Sequence, residues 1–387
     1  PDVTRYALIA DDLTGALDAG AGFARAGLRA TLPFSGSPDD APHAGVVLVN
    51  TESREGDESQ ALATTTDAAR RLRDAGIPRL YKKIDSVLRG HPGAELRGVL
   101  DVYGGRAVMA PAFPAQGRTT AGGVQLVHGQ PVAAFGGDIR AALGEVASRC
   151  DVFDASTDDD LARIARQAAA NPEYRVWCGT AGLAACVPAA LGLTTGANDT
   201  HRQPVRRSPA ERVLVISGSP HPATAIQIRT LVEAGWTLLA VDASLRDEPP
   251  RVLPERLARE LHRSGRAVIS LQYGNLSSQE RAALAHEPGA AERLLRPILQ
   301  AVQDLPLTPG LGFIITGGET AVQVCRALGA TAIHVAGEAL PGIPLGVLDL
   351  PQGTFPIATK SGGFGGPDAL LKTAEALTSP RREVKSL

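Results

Sequence analysis

Lysine is nearly missing from this chain. Five lysines stand against 34 arginines in 387 residues. A GC-rich coding bias accounts for that imbalance, and it makes the surviving lysines worth reading. Charge of one sign is missing too, since 39 basic and 41 acidic residues leave a net charge of −2. A nucleic-acid or anionic-membrane partner wants a basic face, so the balance argues against both. Cysteine is sparse. Cys150, Cys178, Cys186 and Cys325 form no C-x-x-C pair, and no His stands at zinc-ligand spacing from them. Each lies in or beside an apolar run and reads as a small core residue, which suits a reducing compartment. No apolar run reaches the length of a membrane span, and no charged n-region with an apolar h-region opens the chain. A soluble cytoplasmic protein is the expectation. What is present fits a globular protein, with 44% hydrophobic and 21% charged residues. Glycine (42) and proline (28) are scattered singly, so many turns follow. The length suits two domains at ~150 residues each.

Short apolar runs alternate with helix-period stretches. Tyr6–Ala10, Val46–Val49, Leu80–Ile84, Ala107–Ala110, Val152–Phe153 and Val176–Cys178 read as strands. Leu13, Ala16, Leu17, Ala21 and Ala24 mark an amphipathic helix ending at Gly27. Further helices are expected over 61–75, from about 94 to 103, and from about 158 and 181. Residues 194–210 are polar and aperiodic, the best linker in the chain. After them the pattern restarts with strands at Val213–Ile216, Leu238–Val241, Val268–Leu271, Phe313–Ile315 and Ile333–Val335. Helices are expected over 223–234 and 321–328. The alternation implies an α/β protein of two domains, 1–200 and 201–387, each a mainly parallel sheet flanked by helices. Ligands in such folds sit beyond the carboxyl ends of strands, so the active site is expected in the interdomain cleft.

Three strand ends in the first half carry charge. Asp11 and Asp12 follow the first strand; a helix N-cap explains one of two adjacent carboxylates but not both. Lys83 and Asp85 share a strand face while Lys82 turns to the other. Asp85, Ser86 and Arg89 leave that strand's carboxyl end, and Arg54 follows another strand. Cations mixed with a carboxylate suit an acidic, polyhydroxylated ligand; a structural ion pair on a surface turn is the plainer reading. The tract Pro111–Thr120 is a stiff loop ending in Arg118 and two hydroxyls, and as composition it is equally a plain connector. The second half carries three glycine turns, each between a strand and a helix: Ser217-Gly218-Ser219, Thr316-Gly317-Gly318-Glu319-Thr320, and Lys360-Ser361-Gly362-Gly363-Phe364-Gly365-Gly366. Such turns aim backbone N–H groups at phosphates. None matches a P-loop or a dinucleotide fingerprint.

Taken together, IADDLTGALDAG, KKIDSVLRG, PAFPAQGRTT, TGGET and KSGGFGG resemble the four-carbon acid sugar kinase family, in its motif order and from Asp11 to about Lys372. The resemblance implies an N-terminal domain for a tetronate-type acid, a C-terminal domain for ATP, Mg²⁺, and a 4-phosphate product. It places Asp11, Asp12, Arg54, Lys83, Ile84, Asp85, Ser86 and Arg89 on the acid sugar. It places Ser217, Gly218, Ser219, Gly317, Gly318, Glu319, Thr320, Gly362 and Gly363 on the nucleotide. It leaves the metal ligands unknown, with the acids that do not take a proton serving the substrate's hydroxyls or Mg²⁺. The chain departs from the family at Pro220-His221-Pro222, and at Gly363, where the family's turn commonly has Asn. A phosphoryl transferase needs positioning and charge neutralisation more than covalent chemistry, and a carboxylate is the natural acceptor of the hydroxyl's proton. Asp12 is the favoured one, ahead of Asp85 and Asp11, with His221 weaker. D-Threonate, D-erythronate and a 3-oxo-tetronate are the candidate acids. A dinucleotide-dependent oxidoreductase or isomerase of the same acids, or a non-catalytic sensor of them, are the alternatives. The partners expected are the acid and ATP, and an exposed apolar helix would favour a homodimer.

Overall fold

The computed structural model describes residues 6–34, 45–193, 205–242, 252–273 and 290–380. The chain divides into two compact units, residues 1–204 with 334–337, and 205–333 with 338–387. Of the expected linker, 194–204 lie outside the described residues and 205–210 carry no helix or strand.

In the first unit the chain runs β1 (Tyr6–Ala10), α1 (Leu13–Arg25), β2 (Ala30–Pro33), β3 (Val46–Asn50), α2 (Glu58–Asp74), β4 (Leu80–Lys83), α3 (Pro92–Tyr103) and β5 (Arg106–Ala110). It continues through β6 (Arg118–Ala121), β7 (Val124–Val127), β8 (Gln130–Pro131), α4 (Ile139–Leu143), β9 (Cys150–Val152), α5 (Asp158–Ala169), β10 (Tyr174–Gly179) and α6 (Ala181–Leu191). Seven strands form a parallel sheet in the order β2-β3-β1-β4-β10-β5-β9. All five residues of β1 are buried, as expected where helices cover both sheet faces. Trp177 and Tyr81 are among the largest side chains in this core.

The second unit runs β11 (Arg212–Ser217), α7 (Pro222–Glu233), β12 (Thr237–Asp242), α8 (Val252–Ser264), β13 (Arg266–Gln272), α9 (Ala290–Gln303), β14 (Leu311–Thr316), α10 (Gly318–Ala327), β15 (Ala332–Leu340), β16 (Ile343–Leu350), β17 (Gly353–Lys360) and α11 (Ala369–Thr378). Strands β12-β13-β11-β14-β17 are parallel neighbours, and β16 runs antiparallel against β17.

The mainly parallel α/β reading holds, with differences. Helix α1 is not amphipathic: every residue from Leu13 to Ala24 is buried. Its small residues let neighbours close in all round; a Cβ on Gly22 would stand 2.6 Å from the Ala185 Cα of α6. Helices α2, α3 and α10 each begin two or three residues before the apolar periodicity does. For α2 the reason is a cap, since the Asp57 carboxylate accepts from Gln60 N at 2.8 Å. The separate β6-β7-β8 antiparallel sheet was not expected. Its signal was Gly122-Gly123, a two-residue turn with φ of 58° and 75° between alternating runs. Cys150, Cys178 and Cys325 are buried and Cys186 half-buried, all four unpaired. No helix among the described residues is long and apolar enough to cross a membrane.

Candidate active site

The first charged cluster follows from sheet register. Ala10 at the end of β1 pairs with Asn50 of β3 and Lys83 of β4, so these strands end level. Asp11–Asp12, Thr51–Arg54 and Lys83–Arg89 therefore leave the sheet at one edge. Arg54 binds all three carboxylates. Its Nε donates to Asp11 Oδ2 at 2.7 Å and its Nη2 to Asp11 Oδ1 at 2.9 Å. The same Nη2 donates to Asp12 Oδ1 at 2.8 Å, and Nη1 lies 3.8 Å from Asp85 Oδ1. Burial alone would raise the Asp11 carboxyl, but the Arg54 charge and hydrogen bonds outweigh it and hold Asp11 below the usual range. Asp85 is likewise buried yet held low by Arg54 and Arg89.

Asp12 caps α1. Its Oδ1 accepts from Gly15 N at 2.9 Å and its Oδ2 from the Thr14 hydroxyl at 2.5 Å. Its side chain is 15% exposed, against 2% for Asp11 and 9% for Asp85. Lys83 is buried, and its Nζ donates to Ile84 O at 2.8 Å. A Cβ on Gly15 would stand 3.0 Å from that Nζ, so the ammonium lies beside the Asp12 turn. Arg89 forks Asp85, with Nε to Oδ2 at 3.1 Å and Nη2 to Oδ1 at 2.8 Å, and stays half exposed. Ser86 is buried. The Ile84 side chain joins the core, and its N–H donates to Gly179 O at 2.9 Å.

Two lysines in a row separate as strand alternation requires. Lys82 turns into the core and pairs with Glu95 at 2.7 Å, while Glu95 also accepts from the Ser53 hydroxyl at 2.6 Å. Asp18, one and a half turns along α1 from Asp12, is buried, with no hydrogen-bond partner for its Oδ1 among the described residues. Burial pushes its carboxyl up to about 7, against the opposing pull of Lys83.

Two residues here stand outside the expected site set. Gln125 of β7 is buried, and its amide donates to Ser86 O at 2.9 Å and Pro111 O at 3.0 Å. Its Oε1 accepts from Thr120 at 2.8 Å. Arg118 lies on the same side of β6 as Thr120 and within electrostatic reach of Asp85 and Arg89. Arg118 stood in a tract already singled out; only the hairpin's geometry connects it to Asp85.

In the second unit the three glycine turns come together. Gly317 N donates to Lys360 O at 2.9 Å. A Cβ on Gly317 would stand 3.0 Å from Thr320 Oγ1, one on Gly218 2.6 Å from the same atom, and one on Gly363 3.1 Å from His221 Nε2. Gly362 abuts the Ser219 hydroxyl. Glu319 is exposed and accepts from Gln323. The Ser217, Thr316 and Thr359 hydroxyls are buried at the ends of β11, β14 and β17 with no partner among the described residues. Glycine at these close approaches, with orphaned hydroxyls beneath, is a cradle for a ligand that brings its own oxygens.

Against this geometry, two family models match the chain. One is described as a sugar-binding N-terminal domain, over residues 6–136, and the other as a nucleotide-binding C-terminal domain, over 214–370. A D-threonate kinase of Cupriavidus necator is 33% identical, covering 97% of this chain and 99% of its own. The chain belongs to the four-carbon acid sugar kinase family. It is therefore a kinase. A D-threonate kinase of Bordetella bronchiseptica is 32% identical over 97% of this chain and 98% of its own. Other relatives are named D-erythronate kinase and 3-oxo-tetronate kinase. A solved Salmonella typhimurium protein, described as a putative tRNA synthase, aligns with a TM-score of 0.69 at 20% identity, covering 96% of this chain and 99% of that one. That likeness concerns the fold alone.

Proposed function

We propose that the protein transfers the γ-phosphoryl group of ATP to the 4-hydroxyl of a four-carbon sugar acid, D-threonate first among them. The acid sugar is assigned to the strand edge around Arg54, and ATP to the three glycine turns. The observation that carries the reading is the level ending of β1, β3 and β4, which gathers Asp11, Asp12, Asp85, Arg54, Lys83 and Arg89.

The half-exposed Arg89, with Arg118 near it, is the group offered to the substrate's carboxylate, and Lys83 adds charge behind it. Ser86 and the carboxylates are offered to its hydroxyls. Asp11 and Asp85 are held low by their guanidinium partners and are poor proton acceptors. Asp12, the most open of the three, is assigned the acceptor hydroxyl's proton, which leaves late in such a reaction. Gly218, Ser219, Gly317, Gly318, Thr320, Gly362 and Gly363 are assigned the phosphates, where backbone N–H groups neutralise charge. Glu319, exposed at the first turn of α10, borders them.

Mg²⁺ enters this reading with ATP. Among the described residues no three His, Cys, Asp or Glu come together as a metal set. The carboxylates at the strand edge are already engaged by Arg54 and Arg89. Among the described residues these carboxylates therefore do not fit a cage for the ion.

ADP release measured with MgATP and a panel of D-threonate, D-erythronate, a 3-oxo-tetronate and the neutral tetritols tests the proposal. Turnover with an acid and little with the tetritols is expected, with D-threonate leading. Equal turnover of acids and neutral polyols would overturn it.

A further inference from the structure

The third glycine turn is held from below by three buried side chains. Lys360 Nζ donates to Ser361 O at 2.8 Å, Gly362 O at 3.0 Å and Phe364 O at 3.2 Å. Thr224 Oγ1 donates to Gly362 O at 2.9 Å. Gln227 Nε2 donates to the carbonyls of Phe364, Gly365 and Gly366 at 3.0–3.1 Å. Five of the six carbonyls from Ser361 to Gly366, all but that of Gly363, are thus drawn inward. Among the described residues none accepts from the N–H groups of Gly362, Gly363 or Gly365. Carbonyls in and amides out is the arrangement that receives an anion.

Lys360 does more than fill space. Its side chain is fully buried, and among the described residues no carboxylate pairs with it. An ammonium has three donors and meets three carbonyls, whereas a neutral amine has only two. The full set of contacts therefore needs the charged form. We propose that Lys360 is the positioning residue of the nucleotide site, holding the 361–366 turn open to phosphate only while it carries its proton, so that nucleotide binding takes up a proton from solution. The inference rests on the assignment of the nucleotide to the glycine turns.

In the free protein burial opposes the charge that the three carbonyls favour. Burial pulls the Lys360 ammonium down to about 7. A bound polyphosphate favours the charged form and raises it. Linkage then fixes the sign: above pH 7 the free protein binds fewer protons than the complex, so nucleotide affinity falls as pH rises, by up to about tenfold per unit. His221, the N-cap of α7, faces the same turn, and Glu319, Lys372 and the Asp368 carboxylate lie on neighbouring elements. A Lys360 variant separates their titration from that of the lysine.

Calorimetric titration of ADP at pH 8, in buffers of different ionisation enthalpy, reads the proton directly. At that pH the ADP phosphates are already ionised, their last pKa being about 6. The parent should take up protons on binding ADP, up to about one each, and folded Lys360→Met should take up none and bind more weakly. ADP binding with no proton uptake by the parent overturns the role of Lys360 and leaves the nucleotide assignment standing. Uptake that persists in Lys360→Met overturns it as well. Failure of the parent to bind ADP at all would instead remove the nucleotide assignment.

Discussion

Asp12 carries two separable duties. Its carboxylate caps α1 through Gly15 N and faces the edge where Arg54 gathers the other acids. Asn caps a helix about as well as Asp, so Asp12→Asn keeps the first duty and loses the second. Loss of a general base commonly lowers turnover ~10²–10⁴-fold. The expected outcome is that loss at saturating substrates with a melting temperature within a few degrees of the parent's. Turnover within a few-fold of the parent would show that Asp12 does not take the proton. At this scale much of the site was legible. Asp11, Asp12, Arg54, Asp85 and Arg89 all follow strand-like runs and Lys83 ends one, which marks them as strand-end groups. What sequence could not give is who neutralises whom. Arg89 forks Asp85 because a turn folds it back four residues, and Lys82 pairs with Glu95, a residue that no motif pointed to.

Helix α1 shows how an element positions these groups. It is buried all round, so its place is set by backbone approach as much as by side-chain packing. Gly22 meets the backbone of Ala185 so closely that one methyl must push α1 and α6 apart. Gly22→Ala should cost about 1–3 kcal/mol, a fall of roughly 2–12 °C in melting temperature for a unit of this size. Thermal unfolding followed by circular dichroism checks it, and an unchanged melting temperature would show that the helices yield freely. The period of α1 was readable from its Leu and Ala spacing, but its burial was not. Alanine and glycine look the same on a wet face and in a tight helix contact. The β6-β7-β8 sheet was missed for a related reason, because its runs are four residues or fewer and only Gly122-Gly123 announced the turn. Its cost to the reading was Arg118 and Gln125, which it brings to the Asp85–Ser86 turn.

At the scale of the whole chain, charge and glycine are sorted by unit. The carboxylates and guanidinium groups proposed for the acid sugar belong to one compact unit, and the three glycine turns proposed for ATP to the other. Variants in the two units should therefore affect different substrates. Arg89→Ala should weaken the sugar acid about 10- to 100-fold, the size of one lost charge-assisted contact of ~1.5–3 kcal/mol. Gly318→Val, at the first position of α10, should raise the Michaelis constant for ATP by a comparable factor through the side chain it puts in the path of the phosphates. The most direct measurement is two-substrate steady-state kinetics on the parent and both folded variants. Arg89→Ala should change only the constant for the acid and Gly318→Val only that for ATP. An Arg89→Ala enzyme with an unchanged acid constant, or a Gly318→Val enzyme with an unchanged ATP constant, would contradict it.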